Sequence, residues 1–86
     1  MPEISRFFGI VIRMYYNDHN PPHFHARYGN NEGVIGISPL TILAGDLPNR
    51  AAALALEWAA LHQQELLANW NRLRVAQAPQ PIDPLE

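Results

Sequence analysis

The chain divides into an N-terminal part with strand-like apolar patterns and a C-terminal part with a helix-like pattern. Residues 7–16 are almost all aromatic, β-branched or otherwise apolar, which predicts a first strand buried on most of both faces. Three shorter segments of the same kind follow, at residues 23–28, 33–38 and 40–44. Turn residues at 29–31 and Pro39 separate them. The pattern therefore predicts a small antiparallel sheet of three to four strands.

The second part has apolar residues at helical spacing from about Asn49 to Arg74, and this predicts one long C-terminal helix. Pro48 suits the first turn of such a helix. At about 1.5 Å per residue the helix would be roughly 40 Å long, which exceeds the width of a domain of this size. Its apolar arc is also too wide for one small sheet to cover. We therefore expect a homodimer or an obligate protein partner.

The remaining segment, residues 76–86, is rich in proline and lacks periodicity. It predicts a tail that lies extended over the domain or is mobile. A chain of 86 residues supports one domain with a modest core. The expected fold is thus α+β: a single domain over residues 1–75 with the sheet followed by the helix, and an extended Pro-rich C-terminal tail at 76–86.

Composition limits the classes of function. The apolar content of 48% and charged content of 16% are typical of a globular chain, and no apolar run approaches the roughly 18 residues of a membrane span. The N-terminus lacks the features of a signal peptide, so we expect a cytoplasmic protein without a membrane partner. With no cysteine, thiolate metal sites, disulfides and thiol catalysis are excluded.

The charge of the chain bears on whether nucleic acid is a partner. The net charge of -2 argues against non-specific binding of nucleic acid, which depends on neutralised phosphates. A local basic patch built from Arg6, Arg13, Arg27 and protonated histidines keeps nucleic acid open as a partner.

Residues 17–26, Asn-Asp-His-Asn-Pro-Pro-His-Phe-His-Ala, contain three of the four histidines. Because side chains alternate along a strand, His23, His25 and Arg27 share one face. With a carboxylate or a third histidine, His23 and His25 could hold a divalent transition metal ion such as zinc. Two alternatives stay open: strand histidines that bond their neighbours, and a metal-free binding or acid-base role. His19 is expected to serve the turn.

A second group of polar residues lies within the apolar arc of the predicted helix. Trp58, His62, Glu65 and Asn69 follow one another at spacings of four, three and four, so they share a stripe. Buried polar groups need partners, which a structural network, a dimer contact or a ligand would supply. A functional hypothesis is that His62 and Glu65 face the same pocket as His23 and His25 and supply a base and an orienting carboxylate there.

Candidate catalytic residues are therefore His23, His25, His62 and Glu65. The candidate ligand-binding residues are Arg27, Trp58 and Asn69. For both tryptophans a place in the core or in an interface is the simpler interpretation.

Several motifs resemble a known family. They are Ile4–Ile10, Met14–Gly29 with its Pro-Pro-His-Phe-His string, Gly45–Pro48 followed by Arg50, Glu57–Ala59, Leu61-His62, Glu65-Leu66, Asn69-Trp70 and Ile82–Leu85. Together they resemble the bacterial domain of unknown function family numbered 4160. The resemblance implies no established activity. It implies genes in small two-gene cassettes, which suggests a toxin-antitoxin or regulatory role with a small cognate protein from a neighbouring gene.

Three hypotheses follow from the sequence. The first is a regulatory or toxin-antitoxin-type binding module that acts through a protein partner. The second is a small hydrolase acting on RNA, in which His23, His25 and His62 supply acid-base or metal-binding groups and Arg27 holds a phosphate. The third is a transition-metal sensor or carrier. A clear nucleophile and a basic surface are missing from the sequence, so the first hypothesis is favoured over an enzyme.

Overall fold

Five strands form one antiparallel sheet, and two helices follow it in the sequence. The computed structural model describes residues 2–86. The strands are β1 (Glu3–Phe7), β2 (Ile10–Arg13), β3 (His23–Tyr28), β4 (Asn31–Ile37) and β5 (Leu40–Gly45), and they lie in the sheet in this order. The helices are α1 (Asn49–Leu61) and α2 (Gln63–Arg74). The α+β class is confirmed, whereas the prediction of three to four strands is wrong.

The extra strand comes from a hairpin inside the first apolar run. Phe8 and Gly9 have φ angles of 50° and 80°, and Phe7 pairs with Ile10 around them. Two positive φ angles in a two-residue loop are typical of the type I′ hairpin turn. Gly9 adopts this conformation readily because it has no Cβ. No polar residue marks this turn, since apolar residues flank Gly9 on both sides.

The predicted single helix is also wrong, because the chain leaves the helical conformation at His62. This residue has φ -124° and ψ 25°, and its N–H donates to the carbonyl of Ala59 at 3.2 Å. Each helix can therefore turn its own apolar residues inward. The buried residues are Ala51, Ala55, Trp58 and Ala59 in α1, and Leu66, Asn69, Trp70 and Leu73 in α2. Much of the arc that suggested a partner is covered within the chain, although Leu61 is 68% exposed.

The core lies between the helices and one face of the sheet. Along β2, β3 and β4 the residues on this face are buried: Ile10, Ile12, Phe24, Ala26, Ile35 and Ile37. The ring of Trp58 fills the centre, with its centroid 5.2 Å from that of Phe7 and 5.8 Å from that of Phe24. The opposite face carries the strand histidines with Arg13, Arg27 and Glu32 as well as two valines, and is called the polar face below. Neither helix has the length and apolar character that would be needed to cross a bilayer.

The C-terminal segment belongs to the folded domain, which corrects its description as a tail. Ile82 is buried, and its N–H donates to the carbonyl of Ile4 in the outer strand β1 at 2.9 Å. The indole N–H of Trp58 donates to the carbonyl of Asp83 at 2.8 Å. Proline prevents regular structure in this segment, while these contacts fix it across the domain.

Candidate metal centre

Three side chains meet on the polar face of the sheet, where the loop from β2 reaches β3. His23 and His25 lie two residues apart in β3, and alternation turns both imidazoles to this face. Asp18, in the preceding loop, places its Oδ2 atom 3.3 Å from His23 Nε2 and 3.2 Å from His25 Nε2. One ligand atom from each residue can be chosen so that all three lie within 4.8 Å of one another. The loop and the strand thus form one cluster.

The other nitrogen of each imidazole is already hydrogen-bonded. His23 Nδ1 lies 2.7 Å from the carbonyl oxygen of Pro21, and His25 Nδ1 lies 3.1 Å from Glu32 Oε2. A carbonyl only accepts hydrogen bonds, so His23 Nδ1 carries the hydrogen. His25 has a carboxylate oxygen at each ring nitrogen, with Asp18 Oδ2 3.2 Å from its Nε2, and its neutral ring donates to only one of the two. We take the tautomer in which His25 Nδ1 donates to Glu32. In the neutral imidazole the lone pair is then on Nε2, which is the atom that faces Asp18. This second layer of contacts resembles the one that orients histidine ligands in metal sites.

Two of the three distances between ligand atoms fit a small divalent ion, and the third is below 4.8 Å. Ligand atoms about 2.0–2.1 Å from a tetrahedral zinc ion lie about 3.3 Å from each other. The two Asp18–imidazole distances, 3.3 and 3.2 Å, match this edge length. Two histidines and one carboxylate supply three ligands and leave a fourth position for water or another ligand. The cluster therefore has the donor set of an open metal site.

Aromatic rings and an arginine surround the cluster. The His23 ring is 5.2 Å from the ring of Trp70 in α2, and Tyr15 packs edge-on against His25 at 4.6 Å. Arg74 lies over Trp70, and its Nη2 donates to the backbone carbonyl of Asp18. The side chains of His23 and His25 are only 13% and 17% exposed. The end of α2 thus holds the Asp18 loop in place.

The structure does not bring His62 and Glu65 into this cluster. His62 Nδ1 lies 2.6 Å from Glu65 Oε1, and the His62 ring packs on Trp58 at 5.5 Å. His62 lies between the two helices. Glu65 is in the first turn of α2, where the helix dipole stabilises a carboxylate. Within residues 2–86, the grouping of potential ligands comprises Asp18, His23 and His25 alone. The pair is placed to stabilise the helix junction.

The three candidate ligand-binding residues differ in their surroundings. Trp58 is fully buried in the core, and Asn69 exchanges two hydrogen bonds of 2.8 Å with the backbone of Gln80. Both side chains therefore have partners within the fold. Arg27 is exposed on the polar face, and its Nε donates to the carbonyl of Gly29 at 3.0 Å. Of the three, Arg27 alone shares a face with the cluster.

Sequence reasoning named neither Asp18 nor Glu32 as part of the site. Asp18 precedes His19, which is exposed and makes no side-chain hydrogen bond within the described part of the chain. The position of Glu32 could have been predicted from the hairpin turn. The pairing of Tyr28 with Asn31 places Glu32 opposite Arg27 on the polar face. No comparable pattern marks Asp18, whose position depends on the path of the loop.

Comparison with known proteins gives one match. A family model described as "Domain of unknown function (DUF4160)" matches residues 9–71, a range that contains the whole cluster and the His62–Glu65 pair. Neither a curated protein nor a solved structure shows a significant match to the chain. Any function has to be argued from the side chains themselves.

Proposed function

This chain belongs to the DUF4160 family, a domain of unknown function, and we propose from its own geometry that it binds a divalent transition metal ion such as zinc. Asp18, His23 and His25 are the proposed ligands. Glu32 and the carbonyl of Pro21 orient the two imidazoles from behind. The fourth position stays open to water or to a further ligand.

The convergence of two imidazole nitrogens on one carboxylate oxygen is the observation that supports this function. With hydrogen on each Nδ1, two Nε2 lone pairs face the same carboxylate oxygen of Asp18. Acceptors at such distances repel one another unless a cation or added protons lie between them. A divalent ion satisfies all three atoms at once and leaves both Nδ1 hydrogen bonds intact.

Metal titration of the chelator-treated protein tests the assignment. We expect one equivalent of zinc to bind, with the affinity falling as the pH is lowered because protons compete for the imidazole nitrogens. His23→Ala removes a ligand and should weaken zinc binding by at least about 100-fold, since loss of an outer contact alone costs 10–100-fold. Isothermal titration calorimetry measures both affinities.

The matched control is His19→Ala, which removes an exposed histidine from the same segment. This variant should bind zinc as the unaltered chain does. Equal zinc affinities for the His23→Ala and unaltered proteins would contradict the proposed site. Circular dichroism establishes that both variants are folded.

The second candidate function is a regulatory or toxin-antitoxin-type binding module that acts through a homodimer or a small cognate protein. It is supported by Ile42 and Leu43 in the edge strand β5, which are 47% and 45% exposed. The sequence of β5, Leu-Thr-Ile-Leu-Ala-Gly, contains no charged residue, although charge is a common protection of exposed edges. Such a strand favours the addition of another chain.

The binding-module hypothesis predicts a complex larger than one chain. Light scattering should give the mass of a dimer, or co-expression with the product of the neighbouring gene should give a complex that co-elutes. Ile42→Lys would place a charge on β5 and is expected to reduce either association, whereas the control Glu57→Lys, on the exposed side of α1, should not. A chain that stays monomeric and never co-elutes with that product would count against this function.

A further inference from the structure

We infer that the proposed metal centre is one half of a binding site for a phosphate group, with Arg13 and Arg27 as the other half. This inference rests on the proposed function, because the ion at Asp18, His23 and His25 supplies the central positive charge. The phosphate would occupy the fourth position on the metal, and the two guanidinium groups would hold its remaining oxygens.

The sheet register places both arginines beside the cluster. Arg13 in β2 pairs directly with His25 in β3. Directly paired residues of antiparallel strands point to the same face, with Cβ atoms about 4.5–5.5 Å apart. Arg27 follows His25 by two residues in β3 and so lies on this face as well. The two arginines thus flank His25, one across the sheet and one along the strand.

The guanidinium groups of Arg13 and Arg27 have N–H donors that make no hydrogen bond within the described residues. Arg13 makes no side-chain hydrogen bond or close ion pair with any of residues 2–86. Arg27 uses only Nε, which donates to Gly29, so both terminal nitrogens are free of partners within the same described part of the chain. Elsewhere, Arg72 and Arg74 donate to partners within the fold.

The carboxylate that is paired with Arg13 across the sheet is engaged elsewhere. Glu3 pairs with Arg13 across β1 and β2, but its carboxylate accepts two hydrogen bonds from Arg6, at 3.0 and 2.8 Å. The hydrogen bond from Arg6 is the main cause that lowers the pKa of Glu3, and the charge of Arg13 adds a smaller effect. Arg13 is therefore available to a ligand on the histidine face.

The chemistry of the three positive groups favours phosphate. A divalent ion held by two neutral imidazoles and one carboxylate keeps a net positive charge and one open position. Guanidinium groups bind oxyanions through paired, charge-assisted hydrogen bonds. A phosphate monoester has three terminal oxygens, one for the metal and one for each arginine, whereas a carboxylate has only two. The set of donors thus matches a phosphate group, either free or as a monoester.

Cobalt-loaded protein provides the test, because Co²⁺ accepts the same ligands as zinc and its visible spectrum reports changes in coordination. We expect inorganic phosphate to change the spectrum saturably. Arg13→Gln and Arg27→Gln should each raise the phosphate dissociation constant by about tenfold, the usual scale for a lost hydrogen bond to a charged group. Cobalt affinity should not fall in either variant, because neither arginine is a ligand of the metal.

The control is Arg50→Gln, since Arg50 is exposed at the start of α1 and outside the cluster. Cobalt binding without any phosphate response would overturn the inference and leave the metal site standing, whereas loss of cobalt binding itself would overturn both. If Arg50→Gln raised the phosphate dissociation constant as much as the other two variants, the effect would come from the overall charge of the protein. That result would also overturn the inference. Tighter binding of a nucleoside monophosphate than of phosphate would support the inference and assign the ester as the ligand.

Discussion

Replacing Trp58 by alanine is expected to lower the free energy of unfolding by about 3–5 kcal/mol, the usual cost of removing a large buried aromatic side chain. Trp58 is fully buried and packs against the rings of Phe7 and Phe24. Its indole N–H also holds the C-terminal segment through Asp83. The substitution therefore removes the centre of the core and one attachment of this segment together.

Urea denaturation followed by circular dichroism measures this loss. Small domains have about 5–15 kcal/mol of stability in all, so the variant is expected to be largely unfolded at modest urea concentrations. Trp58→Phe keeps an aromatic ring but loses the N–H donor, so its stability should lie between those of the unaltered protein and Trp58→Ala. Leu61→Ala, at a helical residue that is 68% exposed, is the matched control and should change stability by less than about 0.5 kcal/mol. A loss below about 1 kcal/mol for Trp58→Ala would show that Trp58 is not central to the core.

Gly45→Ala is expected to destabilise the protein by about 3 kcal/mol. Gly45 has a φ of 95°, and a left-handed conformation costs a residue with a Cβ about 1–2 kcal/mol. A Cβ at this position would lie 2.2 Å from the carbonyl oxygen of Glu32 and 2.7 Å from the Cα of Gly33. These are backbone atoms of β4 and cannot rotate away, so strain of about 1–3 kcal/mol adds to the conformational cost.

The control for Gly45→Ala is Gly29→Ala, which separates the two contributions. Gly29 has a positive φ of 61°, but a Cβ there would meet no atom within 4 Å. It should therefore lose only the conformational part, about 1–2 kcal/mol, in the same urea experiment. Equal losses for the two variants would contradict the predicted clash with β4.

The histidine face could be predicted from sequence because it depends on a short-range rule. Alternation along a strand is fixed by the backbone, and the structure agrees that His23 and His25 point to one side while Phe24 points to the core. The family was also recognised correctly from the motifs. These features need no knowledge of how distant segments pack.

Features that depend on packing or on the path of a loop were missed. Asp18 reaches the histidines because its loop folds back over the strand and Arg74 holds the loop from α2. The break at His62 lets two short helices cover the core, whereas helical periodicity continues through this position. Both features result from contacts between distant parts of the chain, which no local pattern records.

The two edges of the sheet differ, and this difference limits how chains can assemble through it. β1 carries the Glu3–Arg6 ion pair and is bonded to the C-terminal segment, whereas β5 is uncharged and uncovered. Two chains joined through β5 would present only β1 strands at both ends of the shared sheet. Further growth would be blocked at either end. Association through β5 would therefore stop at a pair of chains and would not extend into a fibre.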